Sequence, residues 1–205
     1  MNDLLQKTKI PAQQQGSWII KKFKIKKERA EFFNMQQMFN GMLGRAIAPG
    51  SYTKLGNIES QVLMMSDTPA ELRDHREAVY RAHDHCLIAG LGLGIIAEAC
   101  LRKKDVTHVT ILEKEPDIIK MVKPYLEKKW SKKRFTIIEC DALKWQPPKD
   151  IKYGMAWFDI WPEMDSDNLP DMHLLHRRYG RKATWKGSWG RDVIERDLRS
   201  NRSYW

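Results

Sequence analysis

The stretch Cys86-Leu-Ile-Ala-Gly-Leu-Gly-Leu-Gly-Ile-Ile-Ala-Glu-Ala99 governs the reading of this chain. A short apolar run gives way to a glycine turn and then to a helical pattern. Gly90, Gly92 and Gly94 allow the backbone to turn sharply, and they lack the Cβ atoms that would hold a ligand off. Such a turn at the carboxyl end of a parallel strand builds a nucleotide-type pocket. A glycine triplet occurs in many settings, so its weight depends on the residues beyond it.

Beyond Gly94 the chain alternates between strand and helix patterns. Strand 86–89 leads to a helix from about Gly94 to Arg102, and strand 108–112 to a helix from Pro116 to about Lys129. Strand 135–139 runs into Asp141-Ala-Leu, strand 154–158 ends at Asp159, and a last helix spans about Asp167 to Lys182. This order predicts an α/β fold with a parallel, doubly wound sheet. Ligands of such sheets sit outside the carboxyl ends of the strands. An acid stands at or near each of the next three ends. Glu113 lies about 20 residues past the glycine turn, where a carboxylate accepts hydrogen bonds from ribose hydroxyls. Asp141 is placed to accept from an adenine amino group. Asp159, beside the first strand, faces whatever reacts. Each acid also has a plainer role: an exposed acid before a helix, a turn cap, a segment cap. Standing in register with the glycine turn, the three together favour the pocket.

From Asp67 to Pro162 the chain resembles class I S-adenosylmethionine-dependent methyltransferases, in the branch similar to spermidine synthases. The matching stretches are Ala89-Gly-Leu-Gly-Leu-Gly, Leu112-Glu-Lys-Glu-Pro-Asp-Ile-Ile, Glu139-Cys-Asp-Ala and Tyr153-Gly-Met-Ala-Trp-Phe-Asp. They cover about half of the chain and speak for the cofactor rather than the substrate. The resemblance implies a Rossmann-like domain holding S-adenosylmethionine. Gly90, Leu91, Gly92 and Gly94 would lie against its methionyl and ribose parts. Glu113 and Lys114 would meet the ribose, and Asp141 and Ala142 the adenine. Asp159 would be the catalytic residue, orienting a substrate amine or accepting its proton. Asp67, His75, Trp161 and Pro162 are candidate substrate contacts. The family's Tyr-His-Glu run is replaced here by Glu71-Leu-Arg-Asp-His. Its paired aspartates become Asp159-Ile-Trp-Pro, which weakens aminopropyl transfer to a polyamine against methyl transfer. Asp159-Ile-Trp-Pro is also similar to the Asp-Pro-Pro-Tyr/Trp motif of amino-methyltransferases, with Pro and Trp in the other order. The stretch from Asp159 through Trp189 resembles small tailed-phage proteins. A third reading is a non-catalytic cofactor-fold protein that binds nucleic acid or a partner.

The 205 residues suit one main domain with appendages. Residues 1–50 read as a basic arm and an amphipathic helix. Residues 51–182 read as the Rossmann-like domain with a leading β-hairpin, and 183–205 as a basic, aromatic tail. Residues 1–17 read as a loose arm. Glu28 to Leu43 carries Phe32, Met35, Met38, Phe39 and Met42 at helical spacing, a pattern expected to pack on the domain, with Gly44 ending it. In the hairpin, Ser51–Lys54 and Ile58–Met65 form the arms and Leu55-Gly-Asn the turn. Only 46 residues stand beyond Asp159, so the sheet is C-terminally shortened and strand 154–158 is left near an edge. A homo-oligomer is therefore expected.

The net charge of +10 sits at the two ends: residues 1–50 and 172–205 each hold nine Lys/Arg against three Asp/Glu. Basic ends around a near-neutral middle suit a polyanion such as nucleic acid, with Trp185, Trp189 and Trp205 as stacking rings. Solvated surface is the plainer reading of the same charge. Cys86, Cys100 and Cys140 are odd in number and form no CxxC, which suggests free thiols in a reducing compartment. No metal is expected, His83-Asp-His85 included. No run is long enough to span a membrane and no secretory leader is visible, so a cytoplasmic location is expected.

Overall fold

The structure is a computed structural model and describes residues 4–39 and 45–202. Met42, Gly44 and Trp205 lie outside the described residues. Two sheets are built in sequence. The first is antiparallel and runs in the order β1 (Gln13–Gln15), β2 (Trp18–Ile25), β3 (Gly50–Asn57), β4 (Leu63–Ser66), with helix α1 (Lys27–Phe39) between β2 and β3. Helices α2 (Pro69–Asp74) and α3 (Arg76–Arg81) lead into the second sheet.

That second sheet is parallel throughout. Its strands are β5 (Asp84–Ala89), β6 (Val106–Glu113), β7 (Phe135–Glu139), β8 (Tyr153–Phe158) and β9 (Ala183–Ser188), in the spatial order β7-β6-β5-β8-β9. Helices α4 (Ile95–Leu101), α5 (Pro116–Lys129) and α6 (Leu169–Arg178) make the crossovers, and α7 (Arg191–Arg202) comes after β9. This is the expected α/β, Rossmann-like sheet. Alternate residues of each strand serve two layers. Cys86, Ile88, Val109, Ile111, Met155 and Trp157 pack with α4 and α5. Leu87, Ala89, Leu112, Ala156 and Phe158 pack with Met172 and Leu175 of α6. Burial on both faces explains why these strands read as continuous apolar runs instead of alternating ones.

The parallel half agrees closely with the sequence reading, and α5 and β7 fall where periodicity placed them. The flanks differ. The carboxy-terminal segment is not a tail: β9 pairs with β8 from Tyr153↔Ala183 to Phe158↔Ser188 and covers the edge of β8. The edge that prompted the expectation of a second subunit therefore belongs to β9 and not to β8. The amino-terminal arm is not loose either. Ile10 is fully buried, and the Thr8 amide donates to Asp67 Oδ2 at 3.1 Å. The hairpin exists, but its turn falls after Asn57 instead of at Leu55, and it forms half of a four-stranded sheet. Leu55 is completely buried and paired inside the sheet with Ile20 on one side and Met65 on the other. On α1 only Ala30 is buried; Phe32, Met35, Met38 and Phe39 are exposed.

Strand order reverses between β5 and β8, so the crevice opens where these two strands end. Gly90 stands at this point with φ +98°, and a Cβ there would strike the backbone carbonyl of Asp159. Gly90→Ala is expected to lower the melting temperature by at least about 4 °C. A side chain in left-handed backbone costs about 1–2 kcal/mol before the clash is counted, and each kcal/mol is worth about 2–4 °C at this size. Thermal unfolding observed by circular dichroism checks this; an unchanged midpoint would mean that the end of β8 moves aside freely.

Candidate active site

A cavity of about 320 Å³ opens at the reversal point, within the size range of small-molecule sites. Gly90, Leu91 and Gly92 form one wall, and Glu113 and Lys114 stand at the end of β6. Asp141 and Ala142 lie just past β7, while Asp159 and Trp161 lie just past β8. The first sheet closes the remaining side with Trp18, Met64 and Met65.

The Glu113 carboxylate is turned toward the glycine loop. Oε2 accepts from the Leu91 amide at 2.8 Å, and Oε1 accepts from the amides of Lys114 and Glu115 at 2.8 and 2.9 Å. A carboxylate has about four acceptor sites, so roughly one stays available to a ligand hydroxyl. Burial raises the Glu113 pKa, and these three amides pull the other way. Asp141 plays its plainer role as well as lining the cavity: Oδ1 accepts from the Leu143 amide at 2.9 Å and fixes the turn after β7.

Asp159 keeps 19 % of its side chain exposed. Burial, with help from the negative charges of Glu71 and Asp74, raises its pKa from 3.8 to about 7. His75 Nε2 lies 3.8 Å from Asp159 Oδ2. That is no ion pair near neutral pH, because burial lowers the His75 pKa to about 4 and leaves the ring uncharged. His75 sits at the break between α2 and α3, with its Nδ1 buried and, among the described residues, without a hydrogen-bond partner.

Four sequence-derived candidates are placed away from the cavity wall. Asp67 is buried and accepts from the amides of Thr8 and Thr53, so it ties the amino-terminal arm to β3. His75 stands 3.8 Å from Asp159 Oδ2 and does not line the cavity. Pro162 is exposed and turned out of the site. Gly94 starts α4 in left-handed backbone against Val122 of α5. Gly92 lines the cavity, but the space its missing Cβ leaves is taken by the Met65 sulfur, which also accepts from the Leu93 amide at 3.0 Å. Trp185 and Trp189 are not free rings: Trp185 stacks on Trp157, and Trp189 Nε1 donates to Asp74 Oδ2 at 3.2 Å.

Sequence reasoning missed Trp18, Met64, Met65 and Asp171 as lining residues. It also missed the acids Glu71 and Asp74, which act on Asp159 through space. The run Trp18-Ile-Ile-Lys-Lys-Phe-Lys-Ile interleaves β-branched and aromatic residues with lysines, which dilutes the strand signal. Trp18 is fixed by an indole hydrogen bond of 3.2 Å to Glu115 Oε2, at the head of α5. Among the described residues, no helix is long and apolar enough to cross a membrane.

No protein-family description matches the chain. A polyamine aminopropyltransferase of Prochlorococcus marinus subsp. pastoris is 31 % identical over 108 residues, which are 50 % of this chain and 38 % of that protein. The chain thus spans well under half the length of that curated relative. Among solved structures, a 23S rRNA methyltransferase shows 16 % identity at a TM-score of 0.44, over 57 % of this chain and 43 % of its own. An N-methyltransferase from Bradyrhizobium japonicum shows 13 % identity at a TM-score of 0.42, over 55 % of this chain and 59 % of its own.

Proposed function

We propose that the chain is an S-adenosylmethionine-dependent methyltransferase acting on an amine nitrogen held beside Asp159. The observation that carries this reading is the convergence of Glu113, Asp141 and Asp159 on one cavity where the strand order reverses. The residues fit the cofactor: Glu113 keeps about one acceptor site for a ribose hydroxyl, and Asp141 Oδ2 accepts no hydrogen bond from the chain's own backbone among the described residues. The cofactor supplies a carbon already activated by its sulfonium, so the protein has mainly to align a nucleophile with it. Trp161, buried at the cavity wall, offers a flat surface for an amine-bearing group. Transfer would exchange the C–S bond of the bound sulfonium for a new N–C bond, with sulfur departing as a neutral thioether. The nitrogen then sheds a proton, and a carboxylate with a pKa of about 7 is matched to receive it.

A second reading is favoured by the aminopropyltransferase relative and by the acids Glu71 and Asp74 near Asp159. It has the same displacement at a sulfonium carbon, with an aminopropyl group transferred to a cationic polyamine. Calorimetric titration with S-adenosylmethionine, its decarboxylated form and S-adenosylhomocysteine separates the two. Methyl transfer expects the first and third ligands to bind at least about tenfold more tightly than the second, a difference of about 1.4 kcal/mol. The reverse order would overturn it in favour of aminopropyl transfer, and no binding of any of the three would remove both.

A further inference from the structure

We propose that the outer face of the amino-terminal sheet, together with α1, binds single-stranded nucleic acid. Side chains alternate along a strand. In β2, Trp18 and Ile20 are buried inward, so Ile19, Lys21, Phe23 and Ile25 lie on the opposite face. The register sets Lys21 directly across from Lys54, and Phe23 across from Tyr52, whose buried ring lies under the Lys7 ammonium at 3.8 Å. Both lysines are exposed, and among the described residues neither has an acidic partner. Like charges facing each other across two strands destabilise a sheet, and a phosphate placed between them relieves that repulsion. The Lys54 ammonium lies 5.8 Å from the centre of the Phe23 ring, so cation and aromatic are already neighbours.

The chain runs on without a charge balance. Residues 21–29 hold six Lys/Arg against the single acid Glu28. Directly beyond them, α1 exposes Phe32 at 57 % and Phe39 at 77 %. Rings set among cations suit a strand whose unpaired bases can stack while its phosphates are held. The carboxy-terminal basic end differs. Arg178 and Lys182 donate to backbone carbonyls, and Arg191 pairs with Glu195 at 2.7 Å. Those cations are committed to polar partners within the fold, whereas among the described residues neither Lys21 nor Lys54 has a hydrogen-bond or ion-pair partner.

Other occupants fit less well. A two-fold dimer through this face would set one lysine-bearing surface against a second copy of itself. A membrane-surface helix needs one apolar stripe. On α1 the exposed apolar residues spread over more than half the circumference, at about 100° per residue. A duplex would meet the lysines but offer the rings no free base.

Fluorescence anisotropy of the full chain with a labelled oligouridylate of about 15 nucleotides tests this at low salt, about 50 mM. The wild type is expected to bind the single strand more tightly than a duplex of equal length. The Lys21→Glu/Lys54→Glu variant is expected to weaken binding about tenfold or more and to reduce the salt slope by roughly 1.4. Phe32→Ala/Phe39→Ala, which removes only exposed rings, is expected to weaken it at least about fivefold. The charge-matched control Lys104→Glu/Lys123→Glu, on exposed positions elsewhere, is expected to change little. No binding by the wild type, equal losses in the lysine variant and its control, or equal affinity for the duplex would each overturn the proposal. So would lysine variants that alter only the sedimentation of the protein (self-association) or its binding to anionic vesicles.

Discussion

Asp159→Asn is expected to lower turnover by roughly 10²- to 10⁴-fold, the usual contribution of a positioned acid or base, with little change in cofactor affinity. Asn keeps the shape and one acceptor oxygen but cannot take up a proton. The loss should therefore fall on kcat rather than on binding of S-adenosylmethionine. The pH profile gives an independent readout. With the Asp159 pKa at about 7, kcat/KM of the wild type should climb as pH rises through about 7 and then level off, because the ionised carboxylate is the working form. S-adenosylhomocysteine release, measured over a panel of primary amines and base-containing oligonucleotides, checks both statements. A variant that keeps more than about a tenth of the wild-type rate would remove Asp159 from the chemistry.

The same substitution carries a stability prediction that needs no acceptor. In the unfolded chain an Asp ionises near pH 4; in the fold Asp159 holds its proton up to about pH 7. Between those values the folded state binds more protons than the unfolded one. Stability therefore falls as pH rises through that window and stays reduced above it. Asn carries no charge to bury and escapes the penalty. At pH 8 the Asn variant should be more stable, on the order of 2–4 kcal/mol, since each pKa unit is worth about 1.4 kcal/mol. At pH 4 the two proteins should melt together. Greater stability with lost turnover is the expected pattern where a carboxylate is held in a costly environment for its function. Equal melting at both pH values would show that Glu71, Asp74 and burial do not press on Asp159.

The same physical effects decide which elements were legible in the sequence. β5, β6 and β8 were legible because strands buried on both faces leave short apolar runs bounded by turn residues. Glu113 and Asp141 were legible because spacing along alternating strands and helices translates into position along one rim. The four-stranded sheet was not legible. Its strands mix Lys with apolar residues, and the group that anchors Trp18, Glu115 at the head of α5, lies far along the chain. β9 was hidden for a related reason: Trp185-Lys-Gly-Ser-Trp reads as basic and aromatic, yet Trp185 is held by stacking on Trp157. Gly187 allows the same close approach, for its missing Cβ would meet both rings. Burial raises the pKa of Asp159 first, and the acids that add to it, Glu71 and Asp74, stand on α2 ahead of the glycine turn, so no local window around Asp159 contained them.

Glu113→Ala is expected to weaken S-adenosylmethionine binding by about 1–3 kcal/mol, or about five- to 150-fold, the range for leaving buried polar groups unpaired. Two losses combine. The ligand loses an acceptor for one ribose hydroxyl, and the amides of Leu91, Lys114 and Glu115 lose the carboxylate that orders them. The second loss acts without any ligand, so the variant should also melt lower. Glu113→Gln separates the two. Its amide oxygen can still accept from Lys114 and Glu115, but its NH₂ then faces the Leu91 amide, donor against donor. Gln should therefore bind nearly as poorly as Ala while retaining more stability, because Leu91 is the cavity-lining residue of the three amide donors that sits on the glycine loop. A ligand lacking one ribose hydroxyl should bind wild type more weakly and the Ala variant no more weakly than the intact ligand. If that analogue instead lost the same affinity on both proteins, Glu113 would be holding only its own loop, and the ribose would have to be gripped elsewhere.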